Sequence, residues 1–147
     1  MSVLETVRDG VITDFNASGT GYFGTDYPFT AVAKWFDPKD HSDEELTVIV
    51  LGDAQRKSRL ARDRQQIEVD VICHVTQKLA GDTIAEVDAL VDLIEAMESY
   101  YYETARISTV KGTLQASTLQ LPSRKQLNLS SRFYAWARLT FLCVNQN

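Results

Sequence analysis

The chain has 147 residues, of which 44% are apolar and 24% charged, and its formal net charge is −5. This composition is typical of an ordinary globular chain with one hydrophobic core, so we expect a single domain over residues 1–147. The acidic balance argues against a general affinity for nucleic acid or anionic membranes. No run of about 20 apolar residues is present, so we expect no membrane span. The N-terminus lacks a basic start followed by an apolar stretch, so we also expect no secretory signal.

An amphipathic helix is predicted at the N-terminus. Ser2 and Glu5 have the spacing of a capping box, in which each side chain accepts a hydrogen bond from the other residue's backbone. Apolar residues then follow the helical period until the polar and glycine-rich stretch Asn16–Gly24 ends the run. The apolar face comprises Val3, Leu4, Val7, Val11, Ile12 and Phe15.

Two short strands are predicted next, at Phe29–Phe36 and Thr47–Leu51. The turn-rich segment before them, Gly19–Pro28, combines glycines with aromatic residues. Such a loop can line a small-molecule site, although its aromatic rings more often anchor the loop to the core. The second strand is β-branched and too short for a helix, so we expect it to be well buried.

The segment 52–66 is predicted as a long basic loop. It concentrates a third of the 15 basic residues of an acidic chain, and loops of this length are usually functional or mobile. A solvated surface loop is the alternative. Its basic residues are Arg56, Lys57, Arg59, Arg62 and Arg64.

Ile67–Lys78 has the clearest strand pattern in the chain, with apolar and polar residues alternating. Such a strand packs one face on the core and exposes the other largely to solvent, which favours an antiparallel sheet. The final segment Arg132–Val144 is a longer predicted strand with apolar groups on both faces, so each face needs a cover. The polar section 104–131, which precedes this final strand, is expected to be irregular, with short strand character at Thr113–Leu121.

A second helix is predicted at Thr83–Glu103, again with capping-box spacing. Its apolar stripe is broad, and its outer face is acidic without any Lys or Arg. The consecutive Tyr100, Tyr101 and Tyr102 surround the helix, so at least one ring lies outside the stripe. The acidic residues are Asp88, Asp92, Glu95 and Glu98. The fold predicted from these elements is α+β, in the order α-β-β-β-α-β, with a mainly antiparallel sheet of about four strands flanked by two helices.

Residues that carry chemistry are few. Cys73 and Cys143 lie in apolar strand patterns, so we expect buried thiols in a reducing compartment rather than a disulfide. His41 and His74 have no partner at a metal-ligand spacing. The segment 41–45 has oxygen ligands for a hard cation, but a solvated acidic turn explains the same residues.

Known catalytic and nucleotide-binding motifs are absent from the sequence. The glycines of 19–24 lack the strand-before and helix-after setting of a phosphate loop. Helix, three strands and helix is also the order of double-stranded RNA-binding domains, but these need a basic second helix. We therefore expect no catalytic activity and no cofactor.

The order of these features resembles that of the tail terminator, or tail completion, proteins of tailed bacteriophages and prophages. Three segments carry the resemblance: Arg59–Lys78, where an arginine-rich approach enters an alternating strand, the helix Asp88–Met97, and Arg132–Leu142. The resemblance covers most of the chain, and Thr104–Ser131 does not align.

The resemblance implies a subunit with an antiparallel sheet flanked by two helices. Copies would form a ring, usually a hexamer, on the last ring of tail tube protein, stop tube polymerisation and present a surface to the head-side connector. Genomic DNA would pass through the lumen without specific binding. The protein would be assembled in the host cytoplasm and reside in the neck of the virion, with no membrane involved.

An acidic helix and a basic loop are complementary surfaces for a head-to-tail interface between subunits. The alternatives are another head–tail joining protein, or a small enzyme or ligand-binding domain that uses Gly19–Pro28. The residues expected at the subunit or partner interface are Arg56, Lys57, Arg59, Arg62, Arg64, Asp88, Asp92, Glu95, Tyr100, Tyr102, Tyr134 and Trp136.

Overall fold

The computed structural model describes residues 2–18, 31–34, 47–61, 64–79, 84–104, 112–122 and 132–146. These residues form an α+β fold with two helices and one five-stranded mixed sheet. The elements in chain order are α1 (Val3–Ser18), β1 (Ala31–Lys34), β2 (Thr47–Ala61), β3 (Arg64–Lys78), α2 (Ile84–Thr104), β4 (Gly112–Gln120) and β5 (Arg132–Gln146).

The strand order in the sheet is β1-β2-β3-β5-β4. β1 runs parallel to β2, and the other three pairs are antiparallel. The α+β class and the mainly antiparallel sheet are therefore confirmed. The count of about four strands is too low by one, because the short strand character expected at Thr113–Leu121 is a full strand, β4, that pairs with β5. The rest of the section 104–131 lies largely outside the described residues.

The segment 52–66 is not the long loop that was predicted. β2 continues to Ala61 and β3 begins at Arg64, so the two strands form one long hairpin. The second part of β2, residues 52–61, shows no alternation of apolar and polar residues: most of its side chains are polar and many are exposed. Its extended conformation is set by backbone pairing with the well-patterned β3, with Lys57 opposite Ile67.

The first helix begins with the predicted capping box. The backbone N–H of Glu5 donates to Ser2 Oγ at 3.1 Å, and the N–H of Ser2 donates to Glu5 Oε2 at 3.0 Å. At the other end, the Asn16 side chain bonds both backbone groups of Ala31. The helix is thereby attached to β1. For α2, the predicted capping residue Thr83 lies outside the described residues.

Both helices pack on the same face of the sheet. α1 covers β1, β2 and β3, while α2 lies mainly over β5 and β4. Cys73 and Cys143 are free thiols in the core beneath the helices, and burial raises the pKa of Cys73 to about 12. The central part of the core consists of Val7, Val11, Phe15, Val69, Val71, Leu93, Ile94, Met97, Tyr101, Leu139 and Phe141.

Helix α1 approaches β2 closely at Gly52. A Cβ atom at this position would lie 3.0 Å from Leu4 Cγ, which is closer than ordinary contact. Nearby, the backbone N–H of Leu4 donates to Gln55 Oε1 at 3.0 Å, so a β2 side chain satisfies one of the free amides of the first helical turn.

Of the two described helices, neither is long and apolar enough to cross a membrane.

Candidate subunit interface

The second face of the sheet points away from both helices. On β3 it carries the residues that alternate with the core, from Glu68 to Thr76. It has a charged end towards the β2–β3 turn and an aromatic end towards the start of β5. This division follows from the register, which aligns the polar half of β2 with the polar residues of β3.

An ion-pair network occupies the charged end. Arg56 donates to both carboxylate oxygens of Asp70, at 2.9 and 3.0 Å, and to Glu68 at 3.2 Å. Thr140 on β5 also donates to Asp70, at 2.8 Å. Hydrogen bonding to Arg56 holds the pKa of Asp70 below its ordinary value, and the same contact raises the pKa of Arg56. The network joins three neighbouring strands.

This network changes the interpretation of Arg56. It was expected to contact a partner, but its guanidinium bonds two carboxylates of its own chain. The Arg56 side chain remains 51% exposed, whereas that of Asp70 is only 9% exposed. The structure thus gives Arg56 a position on the surface but assigns its hydrogen bonds within the subunit.

The remaining basic residues of the segment differ in what the structure describes. Lys57 is exposed on β2 and alternates with Arg56, so it lies on the helix side of the sheet. Arg59 lies on β2 and Arg64 on β3, and for both only the backbone is described. Arg62 lies outside the described residues.

The acidic face of α2 lies opposite the helix's core side, as the sequence predicts. Asp88, Asp92 and Glu95 are exposed, whereas Leu93 and Met97 are completely buried. The helix contains six acidic residues and no basic residue. Because these exposed carboxylates have no Lys or Arg neighbours on α2 itself, the helix contributes only negative charge to this face.

The tyrosines at the end of α2 hold the two helices and the sheet together. The Tyr101 hydroxyl is buried and donates to Asp14 Oδ2 on α1 at 2.8 Å, and burial followed by the Asp14 charge raises the pKa of Tyr101. Half-buried Tyr100 packs edge-on against Phe15, with ring centroids 5.9 Å apart. Tyr100 was predicted to supply apolar surface to a neighbour, but part of its ring packs within the subunit. For Tyr102 only the backbone is described.

Tyr134 and Trp136 lie on the second face and are half-buried. The Tyr134 hydroxyl is 2.9 Å from His74 Nδ1. The guanidinium of Arg138 lies 5.9 Å from the Trp136 ring centroid and 3.4 Å from Asp53. The predicted apolar outer face of β5 therefore has partners within the chain.

Sequence reasoning missed Asp70, Asp53 and Arg138 as partners of the interface residues. No local signal identifies them, because each pair joins different strands and depends on register. The segments 19–28 and 41–45, considered for a ligand and for a cation, lie outside the described residues. Within the described ranges, no group of three or more His, Cys, Asp or Glu residues is placed to hold a metal ion.

The basic hairpin and the acidic face lie at opposite sides of the subunit. α2 lies mainly over β5 and β4, whereas β2 is separated from β5 by β3. Comparison of the chain with protein-family models and with curated proteins found no match.

Proposed function

We propose that the chain is a tail terminator of a tailed bacteriophage or prophage. In this function, a ring of subunits, usually six, closes the head-proximal end of the tail tube and joins it to the head-side connector. The observation that supports it best is the charge asymmetry of one subunit, with Lys57 and the β2–β3 hairpin at one side and the acidic face of α2 at the other. The sequence resemblance supports the choice of this ring over others.

Such an asymmetry favours a ring. Two different, complementary patches on one subunit make a heterologous contact, and heterologous contacts close into a ring when the rotation between subunits permits. Opposite charges also accelerate association and disfavour wrong orientations. A closed ring on the tube end presents no site for the next tube subunit, which would stop elongation.

The protein's acidic balance is compatible with a conduit for DNA. A net charge of −5 gives little general attraction for phosphates, so passing DNA would not be retained. In this function the protein performs no reaction and needs no cofactor. Its partners are further copies of itself, the tail tube protein and the connector.

Tail length provides the decisive test. In a phage assembly reaction that lacks this protein, tubes should grow beyond their normal length and fail to join heads, and adding the purified protein should restore both. Electron micrographs of the tails measure both outcomes. Normal tail length without the protein, together with failed head attachment, would instead favour another head–tail joining protein.

The ring itself is tested separately. Light scattering of the purified protein across salt concentrations should show species of several subunits at low salt that decrease in mass as salt rises, since exposed charges are screened. Negative-stain images should show closed rings. A monomer that also leaves tail length unchanged when added would contradict the proposed function and favour a binding domain.

A further inference from the structure

β4 is an edge strand of unusual composition. Within the described sheet its single neighbour is β5. Edge strands normally carry charges or prolines that prevent pairing with other chains. β4 has no ionisable side chain and no proline from Gly112 to Gln120, and Pro122 comes only after the strand. Its exposed residues are Thr113, Gln115, Ala116, Thr118 and Gln120.

The opposite edge of the sheet is only partly paired among the described strands. β1 has four residues and pairs with Val48–Leu51. From Gly52 to Ala61, β2 has β3 as its single described neighbour. The exposed Lys57 and Ser58 lie in this part of β2.

The two edges are at the same level of the sheet. Through β5 and β3, Gly112 aligns with Lys57, and Ser117 aligns with Gly52. The strand directions also match. β2 and β5 run one way and β3 and β4 the other, so β4 would run antiparallel to β2 of an identically oriented copy placed beside it.

Charge distinguishes this arrangement from pairing of two β4 strands. An antiparallel pair of β4 strands would bring two α2 helices, each with six acidic residues and no basic residue, together on one side of the joined sheet. Pairing of β4 with β2 instead brings α2 towards Lys57, which lies on the same side of the sheet as the helices. Opposite charges stabilise the second arrangement, whereas like charges oppose the first.

From these observations we infer that neighbouring subunits join edge to edge, with β4 of one copy pairing antiparallel with β2 of the next between Gly52 and Ala61. The contact adds a strand at an edge that has no further partner among the described strands, so backbone hydrogen bonds supply its affinity. The sheet then continues from subunit to subunit, with the helices on one side throughout. The inference rests on the proposed function for the ring and adds the mode of contact.

Cysteine pairs test the contact directly. Ala54 and Ser58 on β2 and Ala116 and Thr118 on β4 alternate with the core residues of their strands and therefore share the second face. Combining Ala54→Cys or Ser58→Cys with Ala116→Cys or Thr118→Cys gives four double variants. Each double variant places its two cysteines opposite each other in one register of the β4–β2 pair, and the four registers differ by steps of two residues. Residues directly opposite on neighbouring strands are close enough for a disulfide.

The expected result is that at least one double variant forms a ladder of covalent multimers after mild oxidation, on a non-reducing gel. Each matched single variant should give only the monomer band on that gel. The wild type, whose Cys73 and Cys143 are buried, provides the background control. Dimers formed by Ala116→Cys or Thr118→Cys alone would show β4–β4 pairing and overturn the inference.

The same samples separate the inference from the proposed function. Rings seen by light scattering and microscopy, without cross-links in any double variant, would overturn the edge pairing and leave the tail terminator proposal standing. Tail length that does not respond to the protein would overturn the proposed function, and a cross-linked ladder in that case would still support the strand pairing. Circular dichroism of each variant verifies that it is folded.

Discussion

Asp70 lies on the second face of the sheet and is almost fully buried although it carries a charge. A buried carboxylate is stable only when its hydrogen bonds are satisfied. Arg56 and Thr140 donate to it from the strands on either side. The residue therefore connects β2, β3 and β5 at the charged end of the second face.

The Asp70 network predicts an acid-dependent stability. Because the pKa of Asp70 is lowered in the folded state, its stabilising contribution is present above the unfolded pKa of about 3.9 and is lost as pH falls through the folded pKa. The Asp70→Asn variant should lose stability less steeply below about pH 4 than the wild type, by at most about 1.4 kcal/mol per pH unit. Urea unfolding at several pH values measures this.

The control for this prediction is Asp88→Asn, which removes an exposed carboxylate from α2. It should reproduce the acid slope of the wild type. If Asp70→Asn and Asp88→Asn give the same curve, the network does not contribute to acid sensitivity.

Tyr101 makes a second buried contact, with Asp14 of α1. Tyr101→Phe keeps the ring and removes only the hydroxyl donor. We expect the free energy of unfolding to fall by about 1–3 kcal/mol, because Asp14 is buried and loses a hydrogen bond. A double-mutant cycle with Asp14→Ala, which removes the acceptor, should show coupling between the two positions, and purely additive effects would contradict a direct interaction.

At the scale of elements, the close packing of α1 on β2 depends on a glycine. Gly52 faces the helix side, and Leu4 packs directly over it. A larger side chain must displace Leu4 or move α1 away from the sheet. The hydrogen bond between the Leu4 amide and Gln55 restrains that movement.

We therefore expect Gly52→Val to destabilise the protein by about 1–3 kcal/mol through overpacking. The matched control is Ala54→Val, on the same strand but on the face away from α1. Chemical denaturation should show a clear loss for the first variant and a change below about 0.5 kcal/mol for the second. Equal losses would mean that the strand, rather than the contact with Leu4, is sensitive.

At the scale of the whole molecule, described residues of opposite charge lie at opposite sides of the sheet. Lys57 at one side and the acidic face at the other cannot neutralise each other within one subunit, because β3 and β5 lie between β2 and β4. Lys57→Glu alone and Asp92→Lys alone should each reduce the mass of the assembled species at low salt. The combined variant should recover part of it, since the charges exchange sides.

Light scattering of the three variants at low and high salt measures this exchange. Glu95→Lys in place of Asp92→Lys provides a second pairing on the same helix face. High salt should reduce the differences between variants through screening. If the combined variants do not recover with either partner, the two surfaces do not face each other in the assembly.

Local signals in the sequence predicted much of the fold. Periodicity predicted both helices, the central strand and the final strand, and their bounds agree with the structure to within a few residues. The spacing of Ser2 and Glu5 predicted the capping box, which the structure contains. The acidic face of α2 was predicted for the same reason, since a helix with one apolar stripe must expose its other side.

By itself, the sequence determined the two helices, the central strand and the final strand, which side of each faces the core, and how charge is distributed along the chain. Only the tertiary structure decided that β2 extends to Ala61, that β1 pairs in parallel, that β4 ends the sheet and that Arg56 bonds Asp70. The physical reason is that periodicity reports how a residue contacts its own element. Register and ion pairs join residues that are distant in the chain, and backbone pairing can extend a strand whose side chains carry no strand pattern.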